Sequence, residues 1–445
     1  MFVHRLTVVL LCDTLLKKLL FRKKWYCSFK GMWRWLVRKQ QAEVVSPFCV
    51  LRLVLDTGER LPCLVDRETW LPVRLATRWA MRYRRYRRQS STLADNLRIL
   101  GVLYAWARTS GGFDLDDYLT QGKTLTPRQI EAFASTLRTP EALNTLGPTA
   151  VTELISPLID AGTYDHYLSI VEMFLTWALD SMNRGGRSVL TLEQLSAERT
   201  HLNYLFQSLL MGARSSERMK PLEDEEIASI RQAIGPVREG KRSWIFPGHV
   251  FAEHTRLRNW LMFEMAIELG VRRGELLKLR LDSLPRGSDD GIRILRHPDD
   301  PVDSRTNEPA VKTAERVIPA SRPLLSALRA YITLPPPLGR VRGKSLYLFV
   351  TEKGYPLSLA RTDDVIQDIG RHSGVAPLSW HRLRHTWSEQ WATRLLSRPN
   401  GKDVLQYLGG WTNPHSPDHY IQHTVEQQAV EIVRAYQQTL YTEEI

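Results

Sequence analysis

Four segments far apart in the chain carry side chains that together could do chemistry on a phosphate ester. They are Gly270-Val271-Arg272-Arg273-Gly274-Glu275-Leu276, Val311-Lys312-Thr313-Ala314-Glu315-Arg316-Val317-Ile318-Pro319, His381-Arg382-Leu383-Arg384-His385-Thr386, and the stretch from Leu408 through Gly410 and Trp411 to Tyr420 and His423. A phosphodiester resists attack because the incoming oxygen meets a negative centre, so a catalyst must neutralise the charge that builds on the non-bridging oxygens. Guanidinium forks suit this task, being permanently charged and bidentate toward phosphate, and Arg272 and Arg384 are the candidates. His381, three residues before Arg384, projects from the same helical face and can donate to a phosphate oxygen or accept a proton. A phenol such as that of Tyr420, with a pKa ordinarily about 10, needs cationic surroundings to ionise during attack. Lys312 can protonate a departing oxygen, whereas the indole N–H of Trp411 can orient a phosphate but move no proton.

Each residue also has an ordinary structural reading. Arg272 could simply pair with Glu275, as Arg273 could, and Lys312 could be an exposed lysine beside Arg316. His385 and His423 read as structural, with His423 helping to place the helix of Tyr420. Tyr407 is a rival nucleophile, but its neighbours Val404, Leu405 and Leu408 assign it to core packing.

Several elements must position these groups. Helical spacing through Ile227, Ile230 and Ile234 follows an acid-rich start, and further helices cover about Arg258 to Leu269 and the stretch after Gly270. Ile292 to Leu295 and Val317 to Pro319 read as strands flanking a polar stretch, which places Lys312 on a hairpin. Helices resume near Pro323, Thr362, His381, Gly401 and Thr424, and the last presents Val425, Ala429, Ile432, Val433 and Tyr436 at helical spacing. Upstream, apolar runs on either side of Asp56-Thr57-Gly58 predict a β-hairpin, and Arg74, Arg78, Arg82, Arg84, Arg85, Arg87 and Arg88 crowd a helix suited to lie against phosphates. Its aromatics, Trp79, Tyr83 and Tyr86, read as packing residues. Between Ser91 and Asn183 the spacing is helical throughout, and Leu190 to Lys220 predicts one more helix with a polar linker at Arg214 to Arg218.

The chain of 445 residues exceeds what one core usually serves, and a formal charge of +13 with 61 Lys and Arg calls for a polyanionic partner. All four cysteines, Cys12, Cys27, Cys49 and Cys63, lie near the N-terminus with no Cys-x-x-Cys pair, which reads as reduced thiols in a cytoplasmic protein without a disulfide scaffold or zinc site. The apolar stretch from Leu6 to Cys12 is interrupted by Asp13 and followed by Lys17 and Lys18, so neither a secretory signal nor a membrane span is expected. No acidic cluster suggesting paired Mg²⁺ ions accompanies the four segments, and no metal or cofactor is expected.

Taken in order, the four segments resemble the signature of the tyrosine recombinase (phage integrase) family. In that family an Arg follows a helix-ending Gly and a hydrophobic residue, as Arg272 does, and a Lys precedes a strand ending in Pro, as Lys312 does. His381 and Arg384 match its His-x-x-Arg-His motif, and Trp411 stands nine positions before Tyr420, where the family has His or Trp before its nucleophile. Trp here departs from the more frequent His in a way the family tolerates. The resemblance implies a site-specific DNA recombinase that cleaves and rejoins strands through a 3'-phosphotyrosine at Tyr420, encoded by a mobile element and needing neither ATP nor metal. The implied partners are double-stranded DNA with specific recombination sites and further protomers, a dimer to a tetramer on DNA, with partner recombinases in some systems.

The expected fold is mainly α with a small antiparallel β-sheet, a helical core-binding domain preceding an α+β catalytic domain. The expected divisions are residues 1–88 as a basic extension with a hairpin, 89–186 as the SAM-like core-binding domain, 187–220 as helix and linker, and 221–445 as the catalytic domain with its C-terminal helix. The first 85 residues resemble nothing recognisable. A catalytically inactive DNA-binding relative and a type IB topoisomerase are the competing readings. The intact set from Arg272 to Tyr420 opposes the first, and the Arg-His-Thr continuation after Arg384 opposes the second.

Overall fold

The computed structural model describes residues 46–85, 88–138, 159–183, 191–212, 219–239, 243–245, 253–287, 289–334, 340–341 and 345–442. The basic N-terminal arm and the linker from Arg214 to Arg218 lie outside the described residues.

An antiparallel hairpin comes first, β1 (Phe48–Val54) against β2 (Arg60–Asp66), with Val54 opposite Arg60 across the expected turn. The arginine-rich helix α1 (Arg74–Arg85) buries Ala76 and Trp79 and exposes Arg74, Arg78 and Arg82, as two-sided patterning requires. There follow α2 (Ser90–Trp106), which ends in a π-helical turn (Ala107–Gly111), then α3 (Leu115–Thr120), α4 (Pro127–Leu137), α5 (Ala161–Asn183) and α6 (Leu192–Leu209). Trp79 meets Phe174 edge-on with centroids 6.1 Å apart, and Tyr104 donates to the carboxylate of the buried Asp116 at 2.6 Å.

The divisions expected at 88 and 187 do not separate packing units. Phe48, Leu64, Leu75 and Trp79 ahead of them, and Leu202 and Phe206 behind, share one hydrophobic core with α2, α4 and α5. A lone hairpin or a lone amphipathic helix has an apolar face it cannot bury by itself, so both are drawn onto the helical bundle.

The second half begins with α7 (Asp224–Ile234) and a short hairpin that sequence reasoning did not foresee, β3 (Val237–Glu239) with β4 (Ser243–Ile245). Then come α8 (Glu253–Leu269), α9 (Arg273–Lys278), a 3-10 turn (Leu281–Ser283), and β5 (Gly291–Ile294) paired antiparallel with β6 (Arg316–Pro319). Helices α10 (Arg322–Thr333), α11 (Leu359–Ser373), α12 (Trp380–Leu395), α13 (Gly401–Gly409) and α14 (Asp418–Thr442) complete the chain. The last of these starts six residues earlier than expected, which puts Tyr420 inside its first turn. The architecture is mainly α with small antiparallel sheets, each of two strands among the described residues.

Helix α8 is the axis of the larger core: Leu257, Leu261, Met262, Phe263 and Met265 are fully buried among residues of α7, α10, α11 and α12. It stops at Gly270, whose φ of +61° suits glycine and where a Cβ would lie 2.1 Å from the Trp387 ring. That close approach delivers Arg272 to the start of α9, beside α12. No described helix is long and apolar enough to cross a membrane.

Candidate active site

Two arginines converge on one peptide carbonyl. Arg384 Nη2 donates to the Gly409 oxygen at 2.6 Å and its Nη1 to the Gly270 oxygen, while Arg272 Nη1 reaches the same Gly409 oxygen at 3.3 Å. Arg384 comes from the first turns of α12, whose start is capped by Ser379 accepting from the Arg382 amide at 3.1 Å. Its side chain is buried while that of Arg272 is partly open, with 31% of its surface exposed, so Arg272 faces the cleft. Burial and the charge of Arg272 hold the Arg384 pKa down to about 9, still well above neutrality. Burial also lowers Arg272. The nearby Tyr420 side chain works in the opposite direction on both guanidiniums.

Arg272, Lys312, His381 and Arg384 line one cleft of about 650 Å³, whose opposite wall includes Ser91 and Asp95 of α2. Lys312 is exposed and sits in the loop leading into β6 rather than within a strand. The His381 ring is exposed at the rim, and burial of its inner edge together with the charges of Arg384 and Arg272 keeps its pKa below the ordinary value. Tyr420 and Trp411 stand beside this cleft, on the far side of Arg384. The Arg384 guanidinium lies 5.0 Å from the Trp411 ring centre, and Trp411 packs on Tyr420 with centroids 5.6 Å apart and planes tilted by 32°. On its other face Tyr420 meets His385 edge-on at 5.1 Å. All six residues singled out from the sequence are thus brought together, four in the cleft and two behind it.

His423 and His385 both approach one carboxylate, with Nδ1 to Glu389 Oε1 distances of 3.1 and 3.4 Å. This brings the first turns of α14, which carry Tyr420, against α12. Tyr407 differs from expectation. It is not in the core but 53% exposed, its hydroxyl lying 3.4 Å from the backbone nitrogen and oxygen of Val317 on β6. The apolar positions of α13 that face inward are Leu405 and its neighbours, and Tyr407 falls on the opposite side of the helix.

Sequence reasoning missed the second layer of this site. Glu275 is fully buried and is gripped less by Arg272, 3.7 Å away, than by Arg316, whose Nη2 and Nη1 lie 2.9 and 3.2 Å from its oxygens. Thr313 donates to the same carboxylate. Burial works against ionisation of Glu275, but the Arg316 charge and hydrogen bonds prevail and hold its pKa below the usual carboxylate value. Arg316 Nε also donates to the Leu408 oxygen at 2.8 Å, and the Ala314 amide to the Gly410 oxygen at 3.0 Å. One buried pair therefore joins α9, β6 and the turn that offers the Gly409 oxygen to both arginines. The other expected partner, Arg273, turns away to pair with Asp363. The only advance sign of this layer was Arg316 itself, two residues ahead of a buried strand position.

Among the described residues no group of His, Cys, Asp and Glu side chains is arranged to hold a metal ion.

Residues 249–427 match the phage integrase family. A tyrosine recombinase XerC of Staphylococcus carnosus is 29% identical over 168 residues, 38% of this chain and 50% of that protein, so the chain spans about half the length of this relative. A tyrosine recombinase XerC of Alcanivorax borkumensis is 25% identical over 241 residues, 52% of this chain and 68% of that protein. Among solved structures, the XerH site-specific recombinase bound to difH substrate in a pre-cleavage complex superposes with a TM-score of 0.46 at 16% identity, covering 81% of this chain and 85% of that one. A lambda integrase dimer bound to a COC' core site gives 0.37 at 15%, covering 83% and 94%. Arg272, Lys312, His381, Arg384, Trp411 and Tyr420 all lie within the segment that matches the phage integrase family, and over that segment the chain is similar to tyrosine recombinases.

Proposed function

We propose that this protein is a site-specific DNA recombinase, encoded by a mobile element, that cuts and rejoins strands through a covalent 3'-phosphotyrosine at Tyr420. The reading is carried by one observation: two guanidiniums anchored on the Gly409 oxygen line a cleft with Lys312 and His381, and the Trp411 ring bridges the Arg384 guanidinium to the Tyr420 ring.

In the proposed reaction a scissile phosphate lies against Arg272 and Arg384, whose N–H groups take up the charge on its non-bridging oxygens. His381, neutral at pH 7 because its pKa is lowered, accepts the Tyr420 proton as the phenolic oxygen bonds to phosphorus. The P–O5' bond breaks and the departing oxygen takes its proton from Lys312. Trp411 holds the Tyr420 ring by packing. Reversal of the same steps by a free 5'-hydroxyl rejoins the strand, and because the phosphotyrosine keeps the phosphodiester's bond energy no nucleotide is consumed. The exposed arginines of α1 suit contacts to the DNA backbone, and several protomers assemble on paired sites.

The decisive experiment incubates the full chain with a nicked suicide duplex carrying its element's ends and reads covalent protein-DNA complex on a denaturing gel. The band is expected with the native sequence and absent with Tyr420→Phe, while duplex binding persists. A band that survives Tyr420→Phe would sink the assignment, and Tyr407→Phe is the control for the rival phenol. Relaxation of supercoiled DNA lacking any specific site would favour the topoisomerase reading instead.

A further inference from the structure

The loop that carries Lys312 is held at its centre by a residue from the other half of the molecule. Arg60, on β2, is 1% exposed although its guanidinium carries a full charge. Its Nη1 donates to the Gly58 and Asp300 oxygens, the latter at 2.9 Å, and its Nη2 to the Asp303 and Arg305 oxygens at 2.5 and 3.4 Å, with Glu308 Oε2 3.2 Å away. The turn before it fits as closely: Gly58 has φ +87°, and a Cβ there would lie 2.2 Å from the Asp299 oxygen. Removing a buried charge from its partners leaves both sides unsatisfied, so this contact fixes the hairpin and the loop relative to each other.

Residues 295–315 contain no helix or strand. Past Lys312 the loop is fixed by Thr313 on Glu275 and Ala314 on the Gly410 oxygen, and Val311 packs in the core, whereas from 299 to 308 its order rests on polar contacts. Asp300, Asp303 and Glu308 are matched by Lys278, Arg280 and Arg305, and Glu308 also accepts from the amides of Asp299 and Asp300 at 3.1 Å each. Arg60 adds a further cation inside this ring, bound mainly by inward-pointing carbonyl dipoles. Glu308, which it contacts, lines the catalytic cleft together with Lys312, four residues on, and with Ser91 and Asp95 of α2.

We propose that Arg60 is a positioning residue for Lys312, through which the N-terminal unit sets the place of the proton donor in the catalytic cleft. The proposal rests on the reading of Lys312 as the acid for the departing 5'-oxygen. Strand cleavage then depends on the hairpin being seated on the catalytic half, which joins the chemistry to the placement of both halves around DNA.

A leaving-group test separates this role from a general loss of structure. In a duplex whose scissile 5'-bridging oxygen is replaced by sulfur, the P–S bond breaks to a thiolate, which needs no proton because a thiol is acidic at about pH 8.5. On ordinary DNA, Arg60→Met is expected to slow single-turnover cleavage by about 10- to 100-fold, with duplex affinity within about threefold of native. On the sulfur-bridged duplex both Arg60→Met and Lys312→Ala should return to within about threefold of the native rate. Should Arg60→Met not fold, Arg60→Lys, which keeps the charge but loses the planar fork, carries the same comparison. Rescue of Lys312→Ala without rescue of the Arg60 variant overturns the coupling alone. Failure to rescue either variant overturns the acid role of Lys312 and the coupling together, and full cleavage of ordinary DNA by Arg60→Met overturns the coupling outright.

Discussion

At the scale of single residues, protonation states divide the labour. Arg384 is buried deeply enough to lower its pKa to about 9, yet it remains charged at neutral pH and donates to two carbonyls, one of which, Gly409, it shares with Arg272. A lysine there would keep charge but lose the fork, so Arg384→Lys should reduce cleavage by about 100- to 1000-fold, the usual effect of removing one donor to a developing oxyanion, and be read as rate at saturating DNA. For His381 the sign follows from its lowered pKa. The neutral ring, able to accept a proton, predominates above that pKa, and protonation removes it as pH falls. The second-order rate constant for cleavage, which reports the free enzyme, should decline on an acid limb centred below the ordinary histidine value of about 6.5. His381→Gln should abolish that limb, and a limb that persists unchanged would assign it elsewhere.

Between elements, the buried Glu275 and Arg316 pair decides whether the arginines meet the same carbonyl. Breaking it by Arg316→Met strips the buried Glu275 carboxylate of its closest cation and leaves it Thr313 and the more distant Arg272, a loss of up to about 3 kcal/mol that denaturant unfolding would register. The paired change Glu275→Gln with Arg316→Met should recover much of that stability. Cleavage should nevertheless stay low, because the Leu408 oxygen then loses the Arg316 anchor that holds the α13 turn. Gly410→Ala tests the same joint from the other side. Its φ is +62° and an added Cβ would lie 2.5 Å from Arg316 Nη1, so about 1–2 kcal/mol of stability should be lost together with the cleavage rate.

For the molecule as a whole, the far part of α14 presents an exposed apolar face. Val425, Val430, Ile432, Val433 and Tyr436 are between 48% and 69% exposed, whereas Ile421 and Thr424 in the helix's first turns pack inward. If neighbouring protomers on DNA cover this face, Ile432→Asp with Val433→Asp should leave the monomer's thermal stability within about 0.5 kcal/mol. The same pair should remove the slower bands in a gel-shift titration. Retention of multi-protomer complexes by that variant would refute the role. The excess of basic residues predicts a second whole-molecule property: each phosphate neutralised should steepen the decline of log affinity with log salt by about 0.9.

What the sequence determined by itself was whatever short-range pattern encodes. Helix periodicity placed α5, α7 and α12, the turn residues Asp56 to Gly58 marked the first hairpin, and the short motifs around Arg272, Lys312, His381, Arg384, Trp411 and Tyr420 marked the candidate site. Each motif depends on neighbours within a few positions, where residue type and spacing dictate geometry. Only the tertiary structure decided which partner a buried charge takes. Glu275 took Arg316, far along the chain, as a closer partner than the neighbouring Arg272 guanidinium; Tyr407 faced outward; the hairpin and α6 packed into one hydrophobic core with the helices between them; and Arg60 crossed to the loop of Lys312. A buried ion is satisfied by whichever complementary groups packing brings within about 4 Å, and no local spacing records that choice.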